Sequence, residues 1–422
     1  MIVPSIDIMN GETVQLVGGR EKALDAGDPL AVAERFAVAG DMAVIDLDAA
    51  LGRGSNDEVI SHLVRRYPCR VGGGIRSVDK ALEWLDQGAQ RVILGTMAKP
   101  EILSELPRER VMAALDGVDG EVVVEGWQKG TGASVLDRVR ELRDLVGSFL
   151  VTFVEREGRL GGIDLEAAQR VVDAAGGTPV TIAGGVTTAG EIAALDRLGA
   201  DAQVGMAIYT GRMSLGDAVA APLVSDRADG LWPTVVVDEM GVALGLVYSS
   251  PESLRTAIDE RRGVYQSRSR GLWFKGETSG ATQELLRVDA DCDRDALRFT
   301  VRQQGGGFCH HNTRTCWGND GGLGALERRL ADRLARAPEG SFTSRLARDP
   351  ELLAAKLLEE AGELGEASDR GDVVWEAADV VYFTAAALAG RGISFAEVMD
   401  ELDRRSLTVR RRDGSRTFTA EE

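Results

Sequence analysis

Cysteine and histidine are scarce in this sequence. Its 422 residues include four cysteines and three histidines. Four cysteines, three of them bunched together, do not make a disulfide framework. Positive charge is also in deficit. Lys and Arg number 49 against 67 Asp and Glu, a formal net charge of −18. That balance excludes general nucleic-acid binding, since a phosphate backbone would be repelled away from local basic patches. No apolar run is long enough to span a bilayer, so no membrane association is expected. The opening MIVPSIDIMNG has no basic region followed by a long apolar run. No secretory signal is therefore expected, and a reducing cytoplasm is the expected compartment. What is present is globular in character, with 44% hydrophobic residues. The length exceeds one ordinary core and predicts two or three domains.

The scarce residues are concentrated. Between Asp291 and Cys316 the chain reads DCDRDALRFTVRQQGGGFCHHNTRTC. Asp291, Asp293 and Asp295 stand at alternate positions, with Cys292 between the first two. Cys309, His310, His311 and Cys316 follow. Thiolates suit zinc and carboxylates suit magnesium, so two metals could be held side by side. In an extended segment the three aspartates would share one face and Cys292 the other. Like charges this close repel unless a cation sits among them. Just upstream, YQSRSRGLWFKGETSG places Arg268, Arg270 and Lys275 in a dense basic patch suited to phosphate.

These two stretches closely resemble phosphoribosyl-AMP cyclohydrolase, whose hallmarks are SRSR, LWxKGxTSG, DCDxD and CH-x5-C. The resemblance covers roughly 229–317. It implies zinc on Cys292, Cys309 and Cys316, drawn from two subunits of a dimer. It further implies magnesium on Asp291, Asp293 and Asp295, a catalytic His310, and phosphate contacts from Arg268, Arg270 and Lys275. The run GGGFC carries one residue more than the family's usual spacing, which three glycines can absorb.

From residue 1 to about 223, apolar runs alternate with helical patterns. The strand-like runs are IVPSI, AVIDL, CRVGG, RVILG, RVMAAL, FLVTFV, PVTIA and AQVGM. Helical segments at 28–40 and 77–89 fall among them. Eight strands with helices between predict a (β/α)8 barrel. The halves repeat: Gly74 matches Gly185 (185 − 74 = 111), Gly95 matches Gly205, and Asp7 matches Asp116. Glycine turns at Gly73, Gly74, Gly95, Gly184, Gly185 and Gly205 suit a substrate with a phosphate at each end. Asp7 and Asp116 close the first and fifth strands. They should face each other across the mouth, as a general acid and a general base.

The barrel resembles phosphoribosylformimino-aminoimidazole carboxamide ribotide isomerase, through PSIDIMNGETVQL, VIDLDAALGRGSN, VGGGIR, VILGT, EGWQKGTG and AGGV. The resemblance implies an Amadori rearrangement, with Asp7 as base, Asp116 as acid and Trp127 on a mobile loop over the substrate. At REGRLGGID the chain has Glu157, Gly158 and Arg159 where most bacterial members read D-G-T.

SDRADG (225–230) reads as a polar linker. Two strands around a turn and a short helix follow. WGNDGGLGA is a second joint, and from about Leu326 the pattern is helical. KLLEEAGELGEAS sets Glu359, Glu360 and Glu363 on one helix face, and WEAADVVYF sets Glu376 and Asp379 on another. Facing acids of this kind need divalent cations between them. The segment resembles phosphoribosyl-ATP pyrophosphohydrolase through PEGSFTSRL, K-x2-EE-x2-E, E-x2-D-x2-Y and ELDRR. That resemblance implies magnesium on Glu359 or Glu360, Glu363, Glu376 and Asp379. It also implies phosphate contacts from Arg345, Lys356 and Arg405. The tail RRRDGSRTFTAEE (410–422) is expected to be disordered.

The sequence thus predicts three domains: a barrel over 1–224, a small α+β zinc domain over 229–318 and an all-α domain over 324–422. The three resemblances are consecutive steps of histidine biosynthesis, in reverse order along the chain. They imply a trifunctional enzyme acting on phosphoribosyl nucleotides with Zn2+ and Mg2+, as a homodimer or higher homo-oligomer. Three rival readings stay open: a barrel serving only as scaffold, a barrel that also isomerises phosphoribosylanthranilate, and a structural zinc module.

Overall fold

Eight short strands whose residues are apolar on both faces line up in parallel and close on themselves. They are β1 (Ile2–Met9), β2 (Met42–Asp46), β3 (Cys69–Gly72), β4 (Arg91–Leu94), β5 (Val111–Val118), β6 (Ser148–Phe153), β7 (Val180–Ala183) and β8 (Ala200–Val204). Each pairs with the next, and β8 returns to β1, with Val204 opposite Pro4. Near-continuous apolar strands of this kind are buried on both sides. Ile93, Met112, Leu150 and Ala183 fill the interior, backed by Ile45 and Ala114. The computed structural model describes residues 1–19, 21–124, 127, 129–318, 320–336 and 341–410. Parts of the EGWQKGTG and PEGSFTSRL motifs, and the expected disordered tail beyond Arg410, lie outside the described residues.

The internal repeat is physical. β1 turns into a hairpin with Glu12–Val17, and β5 does the same with Glu121–Val124. Asp7 pairs with Val14 and Asp116 with Val123. Both turns carry a left-handed pair, Asn10–Gly11 in one and Asp119–Gly120 in the other, which is the turn chemistry of tight hairpins. The two glycine turns also match. Gly73 and Gly184 sit at φ +93° and +88°, and a Cβ on either would lie 2.2 and 2.4 Å from the carbonyl oxygens of Asp46 and Phe153. Behind them stand capped helices, α1 (Val78–Gln87) with Ser77 as cap and α2 (Ala189–Arg197) with Thr188.

The base of the barrel, at the N-terminal ends of its strands, is covered. An antiparallel sheet of β9 (Trp232–Val237), β10 (Ala243–Ser249), β11 (Gln283–Ala290) and β12 (Leu297–Gln303) runs in the order β10-β9-β12-β11. The helix Pro251–Glu260 packs so closely on the barrel helix Leu215–Ala220 that a Cβ at Gly216 would lie 2.6 Å from the Arg255 Cα. Three ion pairs span this seam: Arg255–Asp217 at 2.6 Å, Arg261–Glu34 at 2.6 Å and Arg294–Asp196 at 2.5 Å. In each, the barrel supplies the acid.

The chain divides into two compact units. The first comprises Met1–Val236, Leu246–Gly305 and Arg404–Glu422, and the second Val237–Gly245 and Gly306–Asp403. In the second unit, whose helices begin with α3 (Gly322–Arg336), the helices α4 (Phe342–Arg348), α5 (Pro350–Glu366) and α6 (Arg370–Ala389) pack around Leu346, Leu353, Phe383 and Ala386. The start of α7 (Phe395–Ser406) adds Phe395 to Leu330 and Ala385.

Candidate active sites

At the mouth, the side chain of Gln15 donates from Nε2 to Asp7 at 3.3 Å. Burial pushes the Asp7 carboxyl up to about 7, and the Gln15 bond opposes this. Burial also raises Asp116, against hydrogen bonds from the Trp127 indole and the Thr152 hydroxyl. Thr152 is the register partner of Asp116 on β6. The Trp127 ring reaches the first hairpin, where a Cβ at Gly19 would meet it at 2.5 Å.

A third carboxyl joins them. Glu157 follows β6 through a short turn, and its carbonyl accepts from the Gly18 N–H at 3.2 Å. Gly158, at φ +70°, lies so close to this hairpin that a Cβ would sit 2.5 Å from the Leu16 carbonyl oxygen. Burial, and then the charges of Asp7 and Asp116, push Glu157 up to about 8. All three carboxyls remain partly open to solvent. In the sequence Glu157 stands out only as a departure from D-G-T. The signal was its position, since it keeps a carboxylate where that motif has one. Arg159 beside it is exposed.

A cavity of about 350 Å³ opens beside the first glycine turn, lined by Gly73, Gly74, Arg76, Ser77 and Lys80 among others. Here Arg76 donates to the Ala49 carbonyl at 3.0 Å, and Lys80 pairs with Asp57 at 2.8 Å. Around the second turn, Glu191 of α2 accepts from the backbone N–H groups of Ile163, Thr187 and Thr188. Its carboxylate thereby ties two loops of the mouth together. Gly205 is crowded by Gln15 and Ser5, whereas Gly95 faces open space.

The DCDRD segment is a tight turn, not the extended stretch expected. The Asp291 carboxylate accepts from the backbone N–H groups of Asp295 and Ala296 at 3.0 and 3.1 Å, and Arg294 adopts φ +65°. Asp291 prefers closing this turn to lying in a strand, because its short side chain can bond nearby backbone. The turn still gathers the carboxylates: one oxygen from each of Asp291, Asp293 and Asp295 lies within 4.8 Å of the others. Slight desolvation and the charges of Asp293 and Asp291 raise Asp295. A hard, oxygen-preferring cation fits this donor set.

In the second unit, Cys309 and Cys316 come together in a turn where the Cys309 N–H bonds the Thr313 carbonyl. The backbone N–H of His311, the Thr313 hydroxyl and Cys316 hold the Cys309 thiol below its ordinary range. That environment favours the thiolate, the form that binds zinc. His310 is exposed and stacks on His311, with ring centroids 4.0 Å apart. Cys292, also exposed, belongs to the first unit.

The basic patch divides. Arg268 lies over Tyr248 and Arg270 over Trp273, but Lys275 is buried and donates to the Ala281 carbonyl at 3.0 Å. Among the helices, Glu360, Glu363 and Glu376 bring oxygens within 4.8 Å of one another. Desolvation and Glu363 raise Glu376, and Asp379 adds to this. Lys356 pairs with Glu359 at 2.8 Å and Glu360 at 3.5 Å. Arg345 is exposed, and Arg405 belongs to the first unit.

The family model for "Histidine biosynthesis protein" matches residues 1–214. The chain belongs to the histidine biosynthesis protein family. Models for phosphoribosyl-AMP cyclohydrolase and phosphoribosyl-ATP pyrophosphohydrolase match residues 245–318 and 323–406. An imidazole-4-carboxamide isomerase of Haloarcula marismortui is 40% identical over 235 residues, 52% of this chain and 95% of that one. A histidine biosynthesis bifunctional protein of Schizosaccharomyces pombe is 50% identical over 203 residues, 48% of this chain and 49% of that one. A histidine biosynthesis trifunctional protein of Neurospora crassa is 38% identical over 351 residues, 81% of this chain and 37% of that one. The chain therefore spans half or less of the length of the two multifunctional relatives.

Proposed function

We propose that the chain is a trifunctional enzyme of histidine biosynthesis. It hydrolyses phosphoribosyl-ATP to phosphoribosyl-AMP and pyrophosphate, opens the purine ring, and isomerises the aminoaldose to the ketose. The observation that carries the barrel's part is the gathering of Asp7, Asp116 and Glu157. Three partly desolvated carboxyls that repel one another do not all ionise readily at neutral pH, so the mouth favours a proton held beside a carboxylate. The rearrangement needs both. The acid protonates the ribose ring oxygen and the sugar ring opens. The base then takes the C2 proton and the enolamine tautomerises to the ketose. Asp7 is the base and Asp116, raised by burial, the acid that carries the proton, with Glu157 beside them. Gly73, Gly74, Gly95, Gly184, Gly185 and Gly205 receive the two phosphates, and Trp127 covers the substrate.

Cys292, Cys309 and Cys316, drawn from two subunits of a dimer, would hold zinc, and Asp291, Asp293 and Asp295 magnesium. Zinc supplies a water acidic enough to attack at neutral pH. His310 would serve as the proton-transfer group of the ring opening, while Arg268 and Arg270 bind phosphate. Glu360, Glu363, Glu376 and Asp379 would hold magnesium against the pyrophosphate, with Lys356 and Arg345 on its oxygens. The domain limits 1–224, 229–318 and 324–422 follow these three activities. The molecule works in the cytoplasm, where its four cysteines, none of them in a disulfide, stay reduced.

A homodimer through the last two domains is part of this reading. It is supported by Leu358, Val374 and Trp375 on α5 and α6, exposed by 77%, 62% and 71%. Apolar side chains so open on adjacent helices seek a partner surface. The decisive assay supplies phosphoribosyl-ATP with Mg2+ and Zn2+ to the purified chain and identifies the end product. The ketose is expected. Accumulation of phosphoribosyl-AMP, or of the aldose, would remove the second or the third activity from the assignment.

A further inference from the structure

The acidic turn is fastened to the barrel by a residue that is not one of its ligands. Arg294 stands between Asp293 and Asp295, and its guanidinium Nη2 meets Asp196 of α2 at 2.5 Å. Its carbonyl accepts from the Val224 N–H at 3.0 Å. Asp196 is largely enclosed, with its side chain 12% exposed, and it also receives the Met1 ammonium at 3.1 Å. Arg294 holds the left-handed backbone conformation (φ +65°) that a long side chain seldom adopts unsupported. Both tethers come from the barrel, through α2 and through the segment after its last helix.

We propose that Arg294 is a positioning residue, through which the cation affinity of Asp291, Asp293 and Asp295 depends on Asp196 of the barrel. This rests on the reading that those aspartates hold a divalent cation. The charge relation supports it. Arg294 brings a cation next to three carboxylates but spends its charge on Asp196, away from them. The turn therefore keeps its attraction for a metal while its shape is set by the barrel. Partners behind a ligand set typically change metal affinity by about ten- to a hundredfold.

The test is Mn2+ titration by calorimetry on the full chain, in a Glu360→Gln/Glu363→Gln/Glu376→Gln background that removes the three clustered helical carboxylates. Arg294→Ala and Asp196→Asn should each weaken binding at the turn by about tenfold. The double variant should be no worse than either single one, because both remove the same contact. Arg294→Lys should restore part of the loss. Asp196 keeps the Met1 ammonium in the Arg294→Ala variant, so the barrel retains a pair there, and a thermal melt checks that the chain is folded. Asp293→Asn separates the two ways of failing. If it leaves the titration unchanged, the turn holds no cation and the underlying reading falls. If it abolishes binding while Arg294→Ala and Asp196→Asn bind like the parent, or if the two losses add, the positioning role is overturned.

Discussion

Gln15 donates to Asp7 from the neighbouring strand of the same hairpin, at 3.3 Å, with its own amide fully enclosed. The bond favours the ionised carboxyl, and burial opposes it. Gln15 thus offsets part of the rise that burial imposes on Asp7.

Replacing Gln15 by Leu should therefore raise the Asp7 pKa above about 7. A base must be ionised to act, so the rising limb of the isomerase kcat/KM profile should move to higher pH. A hydrogen bond to a charged group is worth about 1.5 kcal/mol, which corresponds to a shift of about one pH unit. A profile that stays in place would show that another group governs that limb.

Glu157→Gln should cost isomerase turnover and gain stability. The folded chain holds this proton up to about pH 8 against an ordinary 4.5. The folded state thus binds it more tightly than the unfolded one, and loses stability as pH climbs through that interval. Gln carries no charge to bury. The variant should be more stable than the parent at pH 9, by about 5 kcal/mol at most, and show no gain at pH 4. Thermal melts at both pH values decide it.

Cys309→Ser should abolish ring opening and leave pyrophosphate release intact. On the proposed reading the lowered thiol is a zinc ligand, which a hydroxyl does not replace. Zinc content by mass spectrometry should fall, and phosphoribosyl-AMP should accumulate. Retained zinc with normal ring opening would sink the ligand assignment.

Glu363→Gln should stop the first step while supplied phosphoribosyl-AMP is still opened. Glu360, Glu363 and Glu376 share one small space, so removing one charge weakens the hold on a divalent cation by about tenfold or more. Loss of both activities in a folded variant would mean that the two sites are not separate.

Much of this molecule was legible in local pattern. Each barrel strand is an apolar run bounded by turn residues, and Gly73 and Gly184 repeat because both turns press on the backbone of a neighbouring strand end. The positions of Asp7 and Asp116 near strand ends are legible because a strand end is a local feature. Glu157 was passed over, since its importance comes from two carboxyls far away in sequence. The Asp291 turn was misread as extended because alternation looks the same whether or not the first carboxylate folds back onto its own backbone. Lys275 looked like a phosphate ligand from its basic neighbours, yet its ammonium meets a carbonyl in the interior. The Arg294–Asp196 contact joins residues with no shared motif, and only the folded chain reveals it.

The seam beneath the barrel has a practical consequence for dissecting the molecule. Arg255, Arg261 and Arg294 all reach into the barrel from one side, and Asp217, Glu34 and Asp196 all answer from the other. A barrel excised near residue 224 would lose three cations and keep three anions, on a face whose helices were shaped for close contact. Such a fragment would be a self-repelling body that leans on added salt to stay folded. Its isomerase activity would then report on the buffer as much as on the residues at its mouth.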